Sequence, residues 1–225
     1  MRGCQEAVLQ GMIHIAPKEL YEVLQKDLDR AVRNDSQVFF EGLKRGLPRK
    51  VTPGERKIKD FFLLLFDLYP VFAAGLGISS QKEEIAYPKD AICADITFDQ
   101  FIRLLYENGF RCNLFWWLLT LPNKEELKKK MEDDFTKEGG LNALMDRSER
   151  WSFSRLFVWF FFRKAMPIIL GYRNEVAVAM IRAHSDGRDI YIHYGEKHVE
   201  GLVRLLKRDG WVVKKTTYID LKDFC

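Results

Sequence analysis

Two Gly-x-x-His sequences, Gly11-Met12-Ile13-His14 and Gly195-Glu196-Lys197-His198, lie near opposite ends of this chain of 225 residues and hold two of its four histidines. Each follows an apolar run that reads as a strand and precedes a helical pattern. Glycine at a strand end permits a sharp turn, and the imidazole then projects from the carboxyl edge, where ligands and catalytic groups collect in open α/β sheets. One such histidine is ordinarily a cap or a surface residue; two in one setting suggest a shared site.

A third candidate is Glu41, which closes the apolar run Val38-Phe39-Phe40 and precedes Gly42 and a basic stretch. A strand-end carboxylate can ligate a metal or act as a general base, or simply pair with Arg45. Arg173-Asn174 opens a later helix. Asn174 there suits an N-cap, whereas Arg173 carries a planar fork of donors able to clamp a carboxylate or an oxyanion. Asp95, in Cys93-Ala94-Asp95, is another strand-end acid. His193 points to the opposite face of its strand from Tyr194 and reads as packed or exposed. The run Trp159-Phe160-Phe161-Phe162 has the spacing of a helical core. No H-E-x-x-H, phosphate-binding loop, dinucleotide fingerprint or G-x-S-x-G is present.

The elements that must position these groups lie at the two ends of the chain. Ala7–Ile15 reads as a strand, Pro17 opens a helix with Leu20, Val23, Leu24, Leu28 and Val32 at helical spacing, and residues 37–42 read as a second strand. This β-α-β order predicts a parallel strand pair. Thr52-Pro53-x-Glu55 caps a long apolar helix, residues 85–96 supply a short strand or extended loop, and residues 97–107 a capped helix closed by Asn108-Gly109. Residues 124–137 form a charged, solvent-facing helix. Near the end the order is a helix over 174–184, a turn at Gly187, a strand over 189–194, a helix over 199–208 with Gly210 as its cap, and a final strand region over 211–221. The expected fold is therefore α/β: one domain over residues 1–225, with a small sheet built from two strand-GxxH-helix-strand halves and a mostly helical middle over residues 52–170.

Composition narrows the function. A net charge of +4 from 36 basic and 32 acidic residues, interleaved without a stripe, makes no case for nucleic acid. Four cysteines, Cys4, Cys93, Cys112 and Cys225, have no C-x-x-C pair, which suits a reducing compartment. The segment Phe61–Ile78 carries Asp67 and Pro70, and Phe153–Tyr172 carries Arg155, Arg163 and Lys164, so both read as buried helices before membrane spans. With no apolar leader at the start, the expectation is a cytoplasmic protein, peripheral membrane contact staying open.

Taken in order, Gly11 and His14, then Glu41, then Arg173-Asn174, then Gly195 and His198 resemble the pattern of the TraB/Tiki superfamily, which also takes in GumN-like, ChaN-like and erythromycin-esterase-like proteins. The likeness covers roughly residues 8–42 and 171–213, with Asp95 matching an internal aspartate. It departs where Met12 stands for a frequent threonine and Ile96 for the arginine that commonly follows the aspartate. Members of that superfamily include metal-dependent proteases, esterases with a histidine base, haem-binding proteins and pheromone-shutdown factors. The resemblance implies a metal-dependent hydrolase cleaving a peptide bond with metal-activated water. His14, His198 and Glu41 would be ligands, Glu41 ligand or base, and Arg173 and Asn174 would orient substrate or support the ligands. Asp95 and Glu196 would stand behind them. Two imidazoles and a carboxylate suit manganese, cobalt or zinc. A metal-free esterase and a non-catalytic module binding a peptide or cofactor are the alternatives; the substrate would be a peptide or small molecule, and the oligomeric state is open.

Overall fold

The computed structural model describes residues 5–46, 49–75, 77–111, 163, 165–219 and 224. A four-stranded parallel sheet lies at its centre, with strands β1 (Ala7–Met12), β3 (Gln37–Phe40), β5 (Ile92–Cys93) and β6 (Ile190–Gly195) in the order β1-β6-β3-β5. Helices α1 (Lys18–Arg33), α5 (Arg173–His184) and α6 (Glu196–Arg208) flank it, so the fold is α/β.

The period-two pattern of β6 explains its central place. Ile190, Ile192 and Tyr194 face a core shared with Phe39, Ala177, Val178, Ile181 and Leu202. Tyr191 joins the opposite core with Met12, Val38, Leu20, Leu24 and Leu28. A strand buried on both faces belongs inside a sheet. β6 therefore inserts between β1 and β3, which are parallel but not neighbours as the β-α-β order predicts.

Local signals decide the helix ends. Thr97 and Gln100 form a reciprocal capping box at the start of α4 (Phe98–Glu107). Thr52 and Glu55 do the same ahead of α2 (Pro53–Gly75), with bonds of 2.8 and 3.3 Å. Asp35 takes a positive φ of 59° where α1 turns into β3. On α2, Ile58, Phe61 and Phe62 pack into a core with Phe101, Ile102 and Leu105 of α4, while Leu63 and Phe66 are exposed. That helix is half buried, and among the described residues none is long and apolar enough to cross a membrane.

Two further expectations need correction. The final strand region, expected over 211–221, has no sheet pairing in its described part, residues 211–219, where Val212 and Tyr218 are exposed; with Lys214-Lys215-Thr216-Thr217 at its middle the run has no continuous apolar face to bury against the sheet. The last helix begins at Glu196, three residues before its expected start. The charged helix at 124–137, the aromatic run at 159–162 and most of Phe153–Tyr172 lie outside the described residues.

Candidate functional site

Because the four strands are parallel, their carboxyl ends share one edge, and there the separated motifs meet. Gly11 pairs with Tyr194 and Met12 with Gly195 across β1 and β6. On the other side of β6, Phe40 pairs with His193, and the Glu41 N–H donates to the His193 carbonyl at 3.0 Å. Beyond β3, the Ala94 N–H donates to the Phe40 carbonyl at 3.0 Å, which delivers Asp95 to the same edge.

The two Gly-x-x-His sequences end in different local structures. His198 lies in the first turn of α6 and is buried. His14 is exposed, between β1 and the two-residue strand β2 (Ile15–Ala16). β2 pairs antiparallel with β4 (Ser79–Ser80), and this small ribbon sets the short helix α3 (Gln81–Glu84) against His14. The Gln81 N–H donates to the His14 carbonyl at 2.9 Å, and the Gln81 side-chain Oε1 lies 2.9 Å from His14 Nδ1. Tyr21 of α1 ties the preceding turn by donating to the Ile13 carbonyl at 2.8 Å.

Both motif glycines are required by close approach. A Cβ on Gly11 would sit 3.1 Å from Val199 Cγ2 and 3.6 Å from the Glu196 backbone, so Gly11 lets the start of α6 lie against β1. A Cβ on Gly195 would come 2.8 Å from Glu41 Oε2. That space is used: the Gly195 N–H donates to Oε2 at 2.6 Å.

Glu41 is buried, and its partner is Arg173 in place of Arg45. Arg173 Nη2 donates to Glu41 Oε1 at 2.7 Å and to Asp95 Oδ2 at 2.5 Å, while Nε donates to Asp95 Oδ1 at 3.0 Å. Asp95 also accepts the N–H groups of Gly42 at 3.2 Å and Ile96 at 2.8 Å. Burial alone would raise the pKa of Glu41, but Arg173, the two histidines and the Gly195 N–H together hold it below the usual carboxylate range. Burial likewise opposes the charge on Arg173, and its bonds to Asp95 together with the charge of Glu41 outweigh that. Two carboxylates face one guanidinium, so the cluster keeps a negative charge in excess.

His198 is held by Asn174. The Asn174 Nδ2 donates to the His198 carbonyl at 3.3 Å, which turns its Oδ1 toward the ring at 2.6 Å from Nδ1. An amide oxygen only accepts, so in its neutral form the His198 ring carries its proton on Nδ1 and its lone pair on Nε2. Burial lowers the pKa of this ring, with Arg173 and His14 adding to the effect and Glu41 and Asp95 opposing it. Nε2 stands 3.5 Å from Glu41 Oε1, an ion pair when the ring is protonated and a lone pair facing a carboxylate when it is neutral. A lone pair facing a carboxylate oxygen is repulsive unless a proton donor or a cation lies between them.

Asn174 is thus no N-cap. The residue before α5 is already helical, because the π-helical segment Pro167–Tyr172 runs directly into it. The wider π turn accompanies inward placement of both Arg173 and Asn174, 7% and 3% exposed. Glu196, expected behind the ligands, is exposed beside Lys197, since it opens α6 on its outer side.

Sequence reasoning passed over three residues, Gly201, Gln81 and Tyr87, and read a fourth, His193, only as packed or exposed. Gly201 stands against Asn174, where a Cβ would lie 2.1 Å from Nδ2. Gln81 and Tyr87 reach the site from the middle of the chain, and Gln81 Nε2 donates to the Tyr87 hydroxyl at 3.2 Å. His193 is fully buried, with Nδ1 3.0 Å from that hydroxyl. Burial pushes its pKa down to about 4, against a weaker upward pull from Glu41. The only signal for Gly201 was a glycine inside an otherwise regular helix, and for His193 a histidine in an apolar strand.

Among the described residues, no group of three His, Cys, Asp and Glu side chains is gathered so as to hold a metal ion. His198 Nε2 and Glu41 Oε1 are a donor pair, and His14 lies near enough for its charge to act on both. Two donors each about 2.1 Å from a tetrahedral ion stand roughly 3.4 Å apart. The 3.5 Å pair has that spacing, and its chemistry fits a divalent transition metal. Comparison with family models, with curated proteins and with solved structures finds no match for the chain.

Proposed function

We propose that the chain is a metal-dependent hydrolase of the kind its TraB/Tiki resemblance implies, acting on a peptide bond at the carboxyl edge of the sheet. The observation that carries this reading is the opposition of the His198 Nε2 lone pair and the Glu41 carboxylate at 3.5 Å, inside a cluster with an excess negative charge. That arrangement asks for a cation. His198 and Glu41 would hold manganese, cobalt or zinc, with His14 joining from its loop; the ion would supply a water of lowered pKa and polarise the scissile carbonyl.

The protein's own groups have separate roles. Asn174 keeps the His198 proton on Nδ1, so that the neutral ring presents its lone pair at Nε2. Arg173 and the Gly195 N–H fix both oxygens of Glu41, leaving each a second acceptor site for a ligand or a proton. Asp95 anchors Arg173 through two bonds, so the guanidinium holds Glu41 in place instead of swinging toward substrate.

The test has two parts. Untagged protein is loaded with manganese, cobalt or zinc, and binding is compared with His198→Ala and Glu41→Gln. Peptide and ester libraries are then screened with the parent, the chelated protein and Glu41→Gln. The expected result is tight binding lost in His198→Ala, and peptide cleavage abolished by chelator and by Glu41→Gln. Undiminished metal binding by His198→Ala would overturn the proposal. Turnover that ignores chelator but needs His198 would show a metal-free histidine base.

A further inference from the structure

A continuous hydrogen-bonded chain runs from the core to the exposed histidine. His193 Nδ1 meets the Tyr87 hydroxyl at 3.0 Å, that hydroxyl accepts from Gln81 Nε2 at 3.2 Å, and Gln81 Oε1 meets His14 Nδ1 at 2.9 Å. The Tyr87 ring stacks on Phe40 with centroids 4.2 Å apart, which holds the hydroxyl in line.

Every link in this chain has a direction. The Gln81 oxygen can only accept, so His14 must donate from Nδ1, and its lone pair is then on Nε2. The Tyr87 oxygen already accepts from the Gln81 amide, so its own proton goes to His193 Nδ1. His193 therefore carries its single proton on Nε2, a buried atom for which no partner is present among the described residues. The alternative is a reversal of the whole chain. His193 would donate from Nδ1, Tyr87 would donate to a flipped Gln81 amide, and the amide nitrogen would donate to His14, placing the His14 proton on Nε2. The mixed arrangement, in which the Tyr87 oxygen accepts from both Gln81 and His193, leaves the Tyr87 proton without an acceptor among the described residues and costs about 1–3 kcal/mol, so the tautomers of the two rings are coupled.

We propose that His193 is a positioning residue that, through Tyr87 and Gln81, sets the ring tautomer of His14 with its lone pair on Nε2. His14 and His198 then have matching anchors, a side-chain amide oxygen on each Nδ1. The importance of this for a reaction rests on the hydrolase reading; the coupling itself does not.

The experiment is nitrogen NMR of protein labelled at its four histidines, at about pH 8.5, where an ordinary imidazole is neutral. Signals are assigned by single substitutions, and folding is followed by circular dichroism. The parent should show His14 with its proton on Nδ1. Tyr87→Phe removes one hydroxyl and keeps the stacked ring, cutting the chain; His14 should become a mixture of tautomers. His193→Phe should do the same from the other end. If the parent's His14 carries its proton on Nε2, or if it keeps the Nδ1 proton in folded Tyr87→Phe, the proposal is wrong. Should His193→Phe fail to fold, Tyr87→Phe alone decides. Where metal binds, Tyr87→Phe should weaken it about 10- to 100-fold. A tautomer shift in a protein that binds no metal would uphold the coupling and sink the hydrolase reading instead.

Discussion

Replacing Gly201 by alanine ought to stabilise an isolated helix by about 1 kcal/mol, because glycine in a helix interior is costly. In this protein the sign should reverse. The added methyl would lie 2.1 Å from Asn174 Nδ2, about 1.3 Å short of ordinary contact. Asn174 is buried, and its amide is bonded to both the ring and the carbonyl of His198. A retreat of about 1.3 Å would stretch the 2.6 Å bond from His198 Nδ1 beyond useful length. Overpacking costs about 1–3 kcal/mol, and an unpaired buried donor costs a similar amount. Less the helical gain, Gly201→Ala should destabilise the fold by about 1–5 kcal/mol. For a chain of this size that lowers Tm by about 2–20 °C. The assay is thermal and urea unfolding of Gly201→Ala in two backgrounds, the parent and Asn174→Ala. Once Asn174 is truncated the methyl has room, and the same substitution should then raise stability by up to about 1 kcal/mol. A stabilising Gly201→Ala in the parent, or an equal effect in both backgrounds, would refute the reasoning.

Two further outcomes concern charge. His193 titrates near pH 6.5 in the unfolded chain but only at about 4 in the fold, so between those values the unfolded state binds a proton that the native state does not. Stability should therefore fall by about 3 kcal/mol as pH drops from 6.5 to 4, and urea midpoints of His193→Gln should fall less steeply; parallel curves would contradict this. Arg173→Met leaves Glu41 and Asp95 buried without their cation and should cost about 3–5 kcal/mol in denaturant unfolding, with part recovered by adding Asp95→Asn.

Much of the fold was legible because its causes are local. Thr52 with Glu55 and Thr97 with Gln100 mark helix starts within four residues of chain, and the β-branched and aromatic run Ile190-Tyr191-Ile192 declares a strand whatever lies beside it. The parallel sheet and the gathering of Gly11, Glu41 and Gly195 at one edge were legible too, since strands joined by helical crossovers run the same way and end on one edge.

What only tertiary structure decided is pairing across long separations. Nothing near β1 or β3 says that β6 will separate them; that depends on which strand is apolar enough to be buried on both faces. Residues 211–219 follow the last helix but pair with no strand of the sheet. Asn174 had the local signature of a helix cap, and a π-helical segment turned it inward onto His198 instead. Gln81, Tyr87, His193 and Gly201 carry no motif at all. Each acts by meeting a partner that the chain brings from elsewhere, and a hydrogen bond or close contact leaves no trace in the spacing of either residue alone. By itself the sequence determined which side chains could do chemistry and which elements would carry them. The proton position on each ring and the partner of each carboxylate came only from packing, because both depend on distances of a few ångströms between segments far apart in the chain.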